Sequence, residues 1–195
     1  MQKPTIETEH KSQLEALQEK PGLLYVATAG VSEEAHKSTR VLYGVGSSVL
    51  FLDQLLKMWV RANLAPGETR HLIPGIVHLT HVENPGAAWG MLSGERWPLI
   101  VISLLVVAAL LFSTRQIAAR GMLVSTGMGL VFGGAVGNLI DRSAFGVVTD
   151  MIDMDTRFNL LRNFPVFNLA DASLTCGVCV LIYYLLRGDS NPAVS

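Results

Sequence analysis

Charge is what this sequence has least of. Asp, Glu, Lys and Arg make up only 16% of its 195 residues, against 50% hydrophobic, and mean hydropathy is +0.38. A soluble domain carries about a quarter charged residues. The composition therefore excludes an ordinary soluble fold and indicates a one-domain membrane protein. A formal net charge of −1 excludes the basic footprint of a nucleic-acid binder. Cysteine is almost absent too. Cys176 and Cys179 give no disulfide framework, and their C-x-x-C spacing lacks the thioredoxin-like βαβ context of a redox pair. They read as small packing residues in an apolar helix. No secretory signal peptide is read at the start, where residues 1–40 are polar and nearly balanced in charge. The one apolar patch there, LLYVATAGV, is shorter than the roughly 17–25 residues that span a bilayer. Residues 1–40 are expected to form a mobile tail outside the membrane, with a short helix over SQLEALQEK, and residues 188–195 a short C-terminal tail.

What is present is four apolar windows of near-spanning length: Val41–Val60, Trp97–Thr114, Gly121–Ile140 and Val166–Leu186. They predict a four-helix membrane domain over residues 41–187. About 36 residues separate the first two windows, and within them IVHLTHVENPGAAW alternates roughly before an Asn-Pro-Gly turn. A small β element at the membrane surface is expected there. An even number of spans puts both termini on one side. The doubly basic loop RQIAAR favours that side being the cytoplasm.

One inference holds in either orientation. Span three leaves the membrane where span four enters, so Asp141, Arg142 and Asp150 share a face with Asn168 and Asp171. The long loop carrying Asn84 opens on that face, and Asp53 and Lys57 occupy the nearer half of span one. Their i, i+4 spacing lets them neutralise each other. Gly129, Gly133 and Gly137 recur every fourth residue of span three, which permits close helix packing. Asn138 beside them needs buried hydrogen-bond partners, and neighbouring carboxylates would supply them.

An ionisable residue inside a lipid-facing segment is expensive, and Asp171 in FNLADASL is therefore a functional candidate. Paired with Asp150 it suggests acid–base chemistry. Two carboxyl groups about 3 Å apart in a low-dielectric site share one proton. The ionised member takes a proton from water while the protonated one hydrogen-bonds a scissile carbonyl. Asn84, Asn138, Asn168 and Arg142 are candidates to orient the pair and stabilise an oxyanion. The spacing alone leaves open that the carboxylates are only paired structurally, with Arg142 or Lys57. It leaves open a small proton carrier or a helix-packing scaffold as well. A metal site is not expected: His78 and His81 lie i, i+3 on a predicted strand and point to opposite faces. Nucleophile-elbow and phosphate-loop motifs are missing, and no cofactor is expected.

Five blocks taken together resemble the lipoprotein signal peptidases (signal peptidase II), the bacterial intramembrane aspartic peptidases. They are LDQLLK in span one, VENPGAAWGML in the first loop, GGAVGNLIDR closing span three, GVVTDMID after it and FPVFNLADASL opening span four. The resemblance covers roughly Val41 to Arg187. It implies catalytic aspartates at Asp150 and Asp171, and supporting residues at Asp53, Lys57, Asn84, Gly86, Asn138, Asp141, Arg142, Asn168 and Ala170. It implies a four-helix bundle with a β-cradle formed from the first loop, working without metal or cofactor. It also implies cleavage of a prolipoprotein just before its diacylglyceryl-modified cysteine, at the outer leaflet of the bacterial cytoplasmic (inner) membrane. A monomer among membrane lipids is expected. Two departures stand out. Trp89-Gly90 replaces a common Phe-Ser, and Thr149 precedes Asp150 where an apolar residue is usual. The Thr149 hydroxyl is expected to bond the aspartates or to face solvent. Asp153, three residues on, is a rival to Asp150.

Overall fold

The computed structural model describes residues 21–86, 95–154 and 164–187, with side chains from residue 33 onward. Helix α1 runs from Pro21 to Asn63, and strands β1 (Thr69–Ile73) and β2 (Val77–Asn84) follow it. Then come α2 (Arg96–Phe112), α3 (Thr114–Ala119), α4 (Met122–Phe145), β3 (Val148–Asp153) and α5 (Leu169–Leu186).

Among the described residues, three helices are long and apolar enough to cross a membrane: α1 over Glu33–Asn63, α4, and α5. The second window is shorter than its hydropathy suggests. Its 17 helical residues rise roughly 25 Å, less than the about 30 Å of a hydrocarbon core. The helix ends at Phe112, where the Thr114 hydroxyl bonds back to the carbonyls of Leu110 and Leu111. Such back-bonding satisfies terminal carbonyls that would otherwise continue the ladder. RQIAAR, expected as a plain loop, belongs mostly to the short helix α3.

The expected boundary at residue 40 is not a break in the chain's structure. Helix α1 already begins at Pro21, a residue suited to the first helical position because its missing N–H is unpaired there anyway. Ser38 is buried at 1% exposure. Residues 12–20, the short helix expected in the tail, and residues 188–195 lie outside the described residues.

Helix α4 is the centre of the bundle. Of its apolar window, 56% is buried inside the protein, against 22% for α1 and 17% for α5. Glycine makes this possible on two faces. A Cβ at Gly129 would lie 2.6 Å from the Leu42 carbonyl oxygen, and one at Gly133 would lie 2.5 Å from that of Gly46, both on α1. On the other face a Cβ at Gly134 would lie 2.5 Å from the Ala170 carbonyl oxygen of α5. No side chain fits in either seam, so the three backbones touch, as small-residue interfaces in membranes allow. Large apolar side chains such as Leu105, Phe112 and Leu186 point outward, where lipid would cover them.

The β element has one strand more than the first loop supplies. β1, β2 and β3 form an antiparallel sheet in that order. The third strand is VTDMID, within GVVTDMID, a segment that the sequence pattern predicts only as a returning loop. It pairs with β2 through Val82↔Asp150, Glu83↔Thr149 and Asn84↔Val148. Gly146, at φ 81°, ends α4 in the left-handed conformation and turns the chain into β3 within two residues. The segment before α5 is tied to the same strand, because Phe167 and Ile152 exchange backbone hydrogen bonds. Strand β3 and the start of α5 are thereby held side by side at one end of the bundle.

Candidate active site

Asp150 enters this end on β3, and Asp171 enters on the first turn of α5. Asn168 is the N-cap of α5. Its side-chain oxygen accepts the Asp171 amide at 2.8 Å, and Asp171 reaches back toward the Asn168 amide at 3.4 Å, closing a capping box. An aspartate at the third helical position is therefore what the helix terminus favours. The same position points its carboxylate at the site.

The two carboxylates belong to one hydrogen-bond network. Asn168 Nδ2 donates to Asp150 at 2.6 Å and to the Asn138 side-chain oxygen at 3.1 Å. Asn138 Nδ2 donates to Asp171 at 2.8 Å. Asn84 Nδ2 donates to the second oxygen of Asp150 at 2.9 Å. Asp150 is 1% exposed, and this burial pushes its carboxyl up from 3.8 to about 7. The nearby Asp171 charge pushes the same way, while the Asn84 and Asn168 hydrogen bonds act against it.

Behind the aspartates lies a buried ionic layer. Lys57 Nζ contacts Asp53 at 2.9 Å, Asp141 at 3.1 Å and Asn138 Oδ1 at 3.0 Å, and its side chain is wholly buried. All three ammonium N–H groups therefore have acceptors. Asp53 also accepts the Ala170 backbone amide at 2.9 Å, which fixes the start of α5 against α1. Ala170 is fully buried, and a Cβ at Gly137 would lie 2.6 Å from Asp53 Oδ2. Asp141 accepts the Thr149 backbone amide at 3.1 Å and so holds β3. Arg142 donates to the Gly86 carbonyl at 2.9 Å, and Gly86 donates its amide to Asn84 Oδ1 at 2.9 Å. This pair of bonds anchors the loop after β2 beside Asp150.

A cavity of about 670 Å³ opens over the aspartates. Glu83, Asn84, Arg142, Asp150, Asp171 and Thr175 supply its polar wall, and residues such as Val82, Phe164, Val166, Phe167 and Leu174 its apolar one. That combination of volume and lining is typical of a ligand pocket.

All the site residues picked from the sequence gather here, and the expected Asp53–Lys57 pair is formed. One reading changes. Thr149 neither bonds the aspartates nor faces solvent: it is 2% exposed and its hydroxyl accepts from Arg61 at 2.9 Å. Asp153 is turned away and accepts from Thr80 at 3.0 Å. His78 and His81 do point to different surroundings, His78 meeting His71 and His81 the Leu64 carbonyl. Trp89 and Gly90 lie outside the described residues. The sequence reading missed Gln54, which donates to the Gly137 carbonyl at 3.1 Å and bridges Asp53 and Asp141. It also missed Arg61, which contacts Asp141 at 3.4 Å. The i, i+4, i+8 ladder Asp53, Lys57, Arg61 was the available signal for the second.

With this geometry in place, comparison with known proteins is decisive. The sequence model for the family Signal peptidase (SPase) II matches residues 45–187. The chain belongs to the signal peptidase II family. The lipoprotein signal peptidase of Syntrophomonas wolfei is 44% identical over 142 residues, covering 72% of this chain and 89% of that one. That of Latilactobacillus sakei is 41% identical over 146 residues, covering 73% and 92%. A solved bacterial membrane enzyme, determined in meso at 2.3 Å resolution, superposes with a TM-score of 0.70 at 34% identity, covering 77% of this chain and 90% of that one. The signal peptidase II match begins inside α1 and ends one residue after α5, so it encloses the whole site.

Proposed function

We propose that this protein is an intramembrane aspartic endopeptidase. Its substrate is a prolipoprotein carrying a diacylglyceryl-modified cysteine, and it removes the signal peptide by cutting just before that cysteine. The observation that carries this reading is the pair of carboxylates, Asp150 and Asp171, brought from separate elements to the wall of one cavity and joined through Asn168 and Asn138. A carboxyl pushed up to about 7 keeps a proton well into the neutral range, so Asp150 serves as the acid. Asp171, an acceptor in its own capping box, serves as the base.

Water entering between them gives a proton to Asp171 as its oxygen bonds the scissile carbonyl carbon. Asp150 passes its proton to the carbonyl oxygen, giving a neutral tetrahedral intermediate. Collapse of that intermediate breaks the C–N bond: the proton held on Asp171 goes to the departing amine, and one hydroxyl proton of the intermediate returns to Asp150 as the C=O bond re-forms. The other product leaves as the new carboxyl terminus, and the aspartates return to one shared proton. Arg142 and Asn84 border the cavity where negative charge would build on the carbonyl oxygen. The apolar wall from Phe164 to Leu174 suits acyl chains and the apolar part of a signal peptide.

In this reading α2 is the fourth span, and residues 41–187 form the peptidase domain. The arginines of the RQIAAR turn lie on the cytoplasmic side with both termini. The site then faces the outer leaflet of the bacterial cytoplasmic membrane. One chain supplies every residue named, so a monomer suffices, with no cofactor. The test is purified protein in detergent with a diacylglyceryl-modified precursor, resolved on a gel. A shorter product is expected from the lipidated precursor and much less from the unmodified one. Equal cleavage of both would refute the lipid requirement, and cleavage of neither would refute the peptidase reading.

A further inference from the structure

Asp150 is held from the front by Asn84 and Asn168, and from behind through its neighbour Thr149. Successive side chains of a strand point to opposite faces. Thr149 therefore faces away from the cavity, toward α1 and α4, and its attachment there decides where Asp150 points. That attachment is double. The Thr149 amide donates to Asp141 Oδ2 at 3.1 Å, and the Thr149 hydroxyl accepts from Arg61 Nη1 at 2.9 Å. The same Arg61 nitrogen reaches Asp141 Oδ1 at 3.4 Å, so strand, α4 and α1 close into one ring of contacts. The Arg61 guanidinium is itself fixed, lying 4.4 Å from the centre of the Phe145 ring at the end of α4. Only Gly146 and Val147 separate α4 from β3, and Gly146 is in a left-handed turn. The direction of the strand is also set by its pairing with β2, which is irregular between Leu79 and Val82, next to the partner of Asp150.

We propose that Arg61 and Thr149 act as a coupled pair of positioning residues that lock β3, and with it Asp150, in register for catalysis. The inference rests on the peptidase reading above and adds residues that this reading does not use. Neither side chain lines the cavity, so neither touches substrate. Their effect is on the chemical step, since displacing a reacting group by about 1 Å costs on the order of a hundredfold in rate.

The experiment compares Thr149→Val, Thr149→Ser, Arg61→Met and the double variant Arg61→Met/Thr149→Val. Steady-state kinetics on a diacylglyceryl-modified precursor are read beside hydrogen–deuterium exchange of residues 148–153. Thr149→Val and Arg61→Met should each lower kcat about tenfold with KM within about twofold, and should speed exchange of β3. The double variant should be no slower than either single one, because both break the same link. Thr149→Ser keeps the acceptor and should behave as the wild type. Losses that multiply in the double variant, a rise in KM at unchanged kcat, or a Ser variant as impaired as the Val variant would each overturn the proposal. If the wild-type protein itself fails to cleave, the peptidase reading falls, and exchange alone then decides the clamp: faster exchange of β3 in the variants supports it, unchanged exchange overturns it. If Thr149→Val does not fold, the same comparison is made between Thr149→Ser and Arg61→Met.

Discussion

Replacing Asp150 by Asn should kill the enzyme and stabilise it, but only at high pH. Burial pushes the Asp150 carboxyl from 3.8 up to about 7. Between those values the folded protein holds a proton that the unfolded chain has lost, so stability falls as pH rises through this interval. Below about pH 3 the group is neutral in both states and costs nothing. Above about pH 7.5 it is ionised in both, and the folded state carries the full cost of a desolvated carboxylate. A carboxyl raised from 3.8 to about 7 sets a ceiling of about 4 kcal/mol. Water reaching the cavity relaxes part of that, leaving about 1–2 kcal/mol. Asn has the shape of a protonated Asp and never ionises, so it escapes this cost at every pH. For a chain of this size each kcal/mol moves Tm by about 2–4 °C. The Asp150→Asn protein should therefore unfold about 2–8 °C above the wild type at pH 8 and within about 1 °C of it at pH 3. Tryptophan fluorescence during heating in detergent measures both, and other titrating groups cancel in the difference. A Tm gap that is the same at both pH values, or a variant less stable at pH 8, would show that Asp150 is not held in a charge-averse site.

The remaining expectations are shorter. Lys57→Ala leaves Asp53 without its cation and Asp141 with only the Arg61 contact at 3.4 Å, and should cost about 3–5 kcal/mol; adding Asp53→Asn should restore only part of it, full restoration would show that Asp141 is not coupled to the lysine, and strict additivity that Asp53 is not. Gly133→Leu drives a side chain into the Gly46 carbonyl and Val49 and should abolish folding, with the yield of monodisperse protein after extraction as the readout; a variant that purifies normally would mean the α1–α4 seam is looser than described. Asp153→Asn keeps an oxygen to accept from Thr80 and should keep more than about half of wild-type turnover, whereas an inactive but folded variant would move the catalytic assignment by three residues. Turnover should decline as pH rises through about 7, where Asp150 loses its proton; a rate still climbing at pH 9 would contradict its role as the acid.

Much of the site was readable because membrane composition makes polar residues rare and therefore informative. Asp53, Lys57, Asn138 and Asp171 stand out against apolar windows, and two consecutive spans must bring their ends together. The glycine repeat is equally plain, since a four-residue spacing marks one helix face. β3 was not readable. Its first four residues, Val148 to Met151, are all buried, so the alternation that marks a strand is missing. Its partner β2 lies far back in the sequence, beyond the reach of a local pattern. The first part of α1 is hidden for the opposite reason: Pro21 to Arg40 mixes polar and small residues and carries no spanning signal, yet it continues the helix of span one. Arg61 reads as a loop charge because hydropathy fades at Val60, although the helix runs on to Asn63 and carries it onto the Lys57 face.

The most direct trial of the two-aspartate mechanism is cleavage of a diacylglyceryl-modified precursor by four purified proteins: wild type, Asp150→Asn, Asp171→Asn and the double variant. Each is checked for cooperative unfolding before the assay. Only the wild type should yield the shorter product, and the double variant should be no worse than either single one, since the pair acts as a unit. A well-folded Asp171→Asn protein that still cleaves would contradict the mechanism outright.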